Sequence, residues 1–137
     1  MNRPDDLLLR ALEEETEHQP MVVVGVRIGQ QIQELCRDAG ASGTITVCGP
    51  EEDDAAALIR GVEMATSSSH ANGQIEWKTD RRYRVVSECG GQQAEFEILA
   101  SLLSMIDESK RTGDEEGLAR QIWELASDEI YLLTIEE

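Results

Sequence analysis

Five short runs of strand length, the first two rich in β-branched residues, are interspersed with stretches whose apolar residues recur every three to four positions, and few folds accommodate that pattern. The runs lie at residues 21–26, 44–48, 74–78, 83–87 and 130–135. Each has the length and composition of a strand. The first is uniformly apolar, as in a strand buried on both faces. Between them, Ile28, Ile32, Leu35 and Cys36 share one helical face up to Gly40, and Ala55, Leu58, Ile59, Val62 and Ala65 share another. Pro4, Asp5 and Asp6 open a short helix ahead of Leu8, Ala11 and Leu12, while Pro50 opens the helix that follows the second strand. Residues 94–110 carry a long amphipathic pattern through Ala94, Ile98, Leu102 and Ile106, ended by Thr112-Gly113. A shorter helix follows, through Leu118 and Ile122.

The expected order is αβαβαββααβ. Strands separated by helices imply crossover connections and parallel pairing, whereas residues 74–78 and 83–87, only a few residues apart, read as an antiparallel hairpin. The expectation is therefore an α/β sandwich with a mixed, largely parallel sheet of about five strands. At 137 residues the chain matches one domain. No run approaches the ~20 apolar residues of a membrane span, and no basic leader precedes an apolar run, so a soluble, cytoplasmic protein is expected.

Charge constrains partners more than fold. Asp and Glu total 28 against 12 Lys and Arg, a formal charge of −16, and only Lys78 and Lys110 are lysines. Such a surface repels itself and gains from screening by salt. The balance resembles the composition of proteins from salt-loaded cytoplasms such as those of haloarchaea, although Glu exceeds Asp by 19 to 9. The same charge disfavours direct binding to nucleic acid and leaves room for a basic protein partner.

Candidate chemistry gathers at the turns between strands and helices, where ligands settle in folds of this kind. Gly25, Arg27 and Gly29 follow the first run and could cradle an anion, though the spacing is not that of a dinucleotide fingerprint. Glu51, Glu52, Asp53 and Asp54 follow the second run. They oppose an anion there and read as partners of the helix dipole. Cys89 stands at a strand end ahead of a helix, where a thiol can become reactive, with His70 as its candidate base. Cys48 has four carboxylates nearby, which oppose ionisation, and Cys36 belongs to an apolar stripe. Three widely spaced cysteines without a C-x-x-C motif support neither a zinc site nor a disulfide framework, so reduced thiols are expected. His18 and His70 are isolated, and neither a metal site nor a cofactor is expected.

Trp77, Arg81, Arg82 and Arg84 make the hairpin region the only concentrated positive charge and a candidate docking element. Two functional classes follow. The favoured one is a non-catalytic protein acting through protein–protein contacts or self-association, with the hairpin and last strand as edges. The other is a small enzyme or ligand-binding domain using Gly25, Gly29 and Cys89.

Overall fold

The computed structural model describes residues 6–14, 18–39, 44–50, 52–66 and 75–136. Helix α1 (Asp6–Glu14) precedes α2 (Gln19–Ala39), a single 21-residue helix that contains the whole of the expected first strand. A continuous apolar run reads alike for a strand and for a helix buried on every side. Met21, Val22, Val23, Val24 and Val26 are all fully buried, because α1, α3, α5 and the sheet enclose the first half of α2. Its second half turns amphipathic, with Ile32 buried and Gln33 and Glu34 exposed.

Strand β1 (Thr44–Gly49) leads into α3 (Glu52–Ala65) and then β2 (Ile75–Thr79), which pairs with β1 in parallel. Strand β3 (Arg84–Cys89) pairs with the other side of β1, antiparallel. The expected hairpin therefore does not form: β1 lies between its two arms. The tight hairpin joins β3 to β4 (Gln92–Ile98) through Gly90 and Gly91, at φ 60° and 82°. Two consecutive positive-φ residues suit the twist of a two-residue turn, and glycine adopts them without steric cost. Helices α4 (Ala100–Thr112) and α5 (Glu115–Glu124) and a short 3₁₀ turn (Ser127–Glu129) lead to β5 (Tyr131–Glu136), antiparallel to β4.

The observed order is thus ααβαβββααβ, and the sheet runs β2-β1-β3-β4-β5. The α/β class and five-stranded mixed sheet agree with expectation. The largely parallel sandwich does not, since among the described residues β1–β2 is the one parallel pair. Side chains alternate across the sheet. Ile45, Val47, Ile75, Val85, Ala94, Phe96, Ile98 and Tyr131 enter the core with the helices, and Phe96 meets Tyr131 edge to face at 5.1 Å. The opposite face carries Glu76, Lys78, Glu88, Gln93, Leu132 and Thr134, all exposed.

Helices α2 and α3 cross where Gly25 and Gly61 meet. A Cβ on Gly25 would lie 2.4 Å from the Leu58 carbonyl oxygen, and one on Gly61 would lie 2.0 Å from that of Val22. Any side chain there would force the helices apart.

Candidate functional site

The residues marked by sequence separate in space. Gly25 and Gly29 lie within α2 and pack on α3, so they form no strand-to-helix turn. Arg27 reaches across to the last turn of α5, where one guanidinium nitrogen donates to the carbonyls of Ile122, Trp123 and Leu125 at 3.0, 3.1 and 2.8 Å. It caps the last turn of the helix, at the negative pole of the dipole. Cys89 is joined to Cys36 by a disulfide with Cα atoms 5.7 Å apart, which ties β3 to α2. In that state its sulfur offers no thiolate, and the expectation of reduced thiols fails because α2 runs across the end of β3. Closing a loop of sequence separation 53 contributes about 4 kcal/mol in the chain-entropy view. His70, the candidate base, lies outside the described residues.

The basic group is likewise partitioned. Trp77 inserts half-buried from β2 beside the core. Arg82 pairs with Glu97 at 2.8 Å, and Arg84 pairs with both Asp80 and Glu95 on the open face of the sheet. Among the described residues Arg81 forms no ion pair. A guanidinium bond from Arg84, the largest cause, and backbone N–H donors of Arg82 and Arg81 hold the Asp80 carboxyl below the usual aspartate range. Cys48 sits in register between Lys78 and Arg84, yet burial outweighs these cations and pushes its thiol up. It is an inert, neutral side chain at pH 7.

The densest polar contacts form around Asp54, in the first turn of α3 and 6% exposed. Lys110, from the last turn of α4, donates to its two oxygens at 2.9 and 3.0 Å. The Tyr83 hydroxyl donates at 3.2 Å, and His18 Nδ1 stands 3.2 Å from Oδ1. Glycine at position 49 makes the tyrosine contact possible, because a Cβ there would lie 2.6 Å from the Tyr83 ring. His18 holds a left-handed backbone, φ 58°, at the entry to α2, and it is half-buried and not a free surface residue. Of four consecutive acids, Asp54 is the one that continues the buried stripe of Leu58 and Val62 at helical spacing. Lys110 similarly follows Ile106 by four. A charge on an apolar stripe is the sequence signal that marks this pair.

A cavity of about 260 Å³ opens beside Asp54, walled by Met21, Pro50, Arg81, Tyr83, Leu103, Ile106 and Asp107. It adjoins the carboxyl end of β1, at the junction of strand end and helix start. Among the described residues no group of three or more His, Cys, Asp or Glu side chains could hold a metal ion, and no helix is long and apolar enough to cross a membrane.

The sheet has two edges of different character. The β2 edge carries Glu76 and Lys78, both exposed, of the kind that discourages further pairing. The β5 edge is uncharged from Tyr131 through Ile135, with Leu132 59% and Ile135 44% exposed. Among the described residues no strand pairs with its outer side. Compared with protein-family models and with curated proteins, the chain finds no match.

Proposed function

We propose that the protein is a non-catalytic interaction module that associates with a second copy of itself along β5. The observation that carries this reading is the β5 edge, a six-residue strand with one side of its backbone unpaired and two large apolar side chains exposed. Antiparallel pairing of two such edges about a twofold axis would extend the sheet, satisfy the free N–H and C=O groups and cover Leu132 and Ile135. In a chain of formal charge −16, the absence of charge from Tyr131 through Ile135 spares this contact direct repulsion. Two copies still bring like charges together over the rest of the surface, so screening by salt favours the pair. The placement of Gly25 and Gly29 in helix packing, and of Cys89 in a disulfide, weighs in the same direction, because a catalytic reading drew on those residues.

Size-exclusion chromatography with light scattering at 0.15 and 2 M KCl tests it. A dimer is expected, more populated at high salt, and the double variant Leu132→Lys, Ile135→Lys is expected to be monomeric with an unchanged circular dichroism spectrum. A monomeric parent at both salt concentrations, or a variant that still dimerises, overturns the proposal.

A further inference from the structure

We infer that the cavity beside Asp54 binds a small aliphatic zwitterion of the amino-acid class. Two groups of opposite charge border it without pairing. Arg81 and Asp107 form no ion pair with each other or with any described residue, whereas the neighbouring arginines Arg82 and Arg84 are both bridged. A guanidinium matches a carboxylate in a two-point contact, and an aspartate matches an ammonium group. Asp54 itself is neutralised by Lys110, so the floor offers hydrogen bonding and no net charge. Met21, Leu103 and Ile106 supply an apolar wall for an aliphatic side chain. The volume of about 260 Å³ falls below the ~300–1,000 Å³ of pockets that take drug-sized ligands, which favours a small metabolite over a nucleotide. The position agrees, since the cavity lies at the carboxyl end of β1, whose partner β2 runs parallel to it.

Titration of the ¹⁵N-labelled protein with L-leucine tests the inference, with isovalerate and isoamylamine as probes that each lack one charge. Leucine is expected to shift amides around Met21, Tyr83 and Leu103, and either single-charge probe to bind at least tenfold more weakly. Arg81→Gln and Asp107→Asn are each expected to weaken leucine binding about tenfold, roughly 1.4 kcal/mol, while keeping the dispersed spectrum of the parent. Both residues are exposed, so either variant keeps the test decisive if the other fails to fold. No shifts with leucine, equal binding of isovalerate, or unaltered affinity in the variants overturns the inference.

Discussion

Asp54 is buried, ionisable and held by three side chains from three separate parts of the chain, so its replacement tests the cluster as a unit. Hydrogen bonds to a charged group contribute roughly 1.5–3 kcal/mol, and an uncompensated partner left behind adds to the loss. Asp54→Asn keeps the shape and removes the charge; we expect a loss of about 2 kcal/mol in urea unfolding. In a Lys110→Met background the same change is expected to cost visibly less, as the two groups share one interaction. Asp80 supports a pH prediction on the open sheet face. Its folded pKa lies below its unfolded one, so the stability it adds is present above the unfolded value near 3.8 and is lost as pH falls through the folded value. Protonation of the other carboxylates relieves repulsion over the same range, so the comparison is with Asp80→Asn. Parent and variant are expected to converge in thermal midpoint at the acid end and to separate above about pH 4. Asp54 could be singled out in sequence only by its place on an apolar stripe. Its partners Tyr83 and His18 could not, because nothing local in sequence brings residues 18, 54, 83 and 110 together.

At the level of elements, the α2–α3 crossing depends on the absence of side chains. With a Cβ at Gly61 placed 2.0 Å from the Val22 carbonyl oxygen, neither backbone can yield without separating the helices. Gly61→Ala is expected to lower stability by about 3 kcal/mol despite its gain in helix propensity, whereas an alanine at an exposed helical position would be neutral or better. A thermal or urea melt of the variant checks this. The helical stripes of α3 and α5, β1 and the final strand were legible because each shows a single period. Two segments were not. Residues 21–26 have no polar positions to reveal a period, and their helical state follows from enclosure on all sides. Residues 92–98 place Ala94, Phe96 and Ile98 inward in strict alternation, but Ala94 and Ile98 also stand four apart, and the helical stripe of α4 begins just beyond them. The two periods coincide at these residues, and only pairing with β3 and β5 selects the strand.

For the molecule as a whole, a formal charge of −16 dominates the response to solvent. Self-repulsion acts on the compact state more than on the expanded one, and it is screened within about 10 Å at 0.1 M salt and about 3 Å at 1 M. The thermal midpoint is expected to rise steadily between 0.1 and 2 M KCl. A flat profile would show that local pairs such as Arg84 with Asp80 and Glu95 already offset the repulsion. Charge regime, the mixed helix and strand content and most core positions were determined by sequence alone, because they rest on composition and on periods that neighbouring residues carry. Tertiary structure decided that β1 separates β2 from β3, that Cys36 meets Cys89, that Arg27 caps α5, and that Asp54 pairs with Lys110 beside a cavity. Each of these joins residues far apart in the chain, and their proximity depends on how several elements pack at once, which no local period encodes.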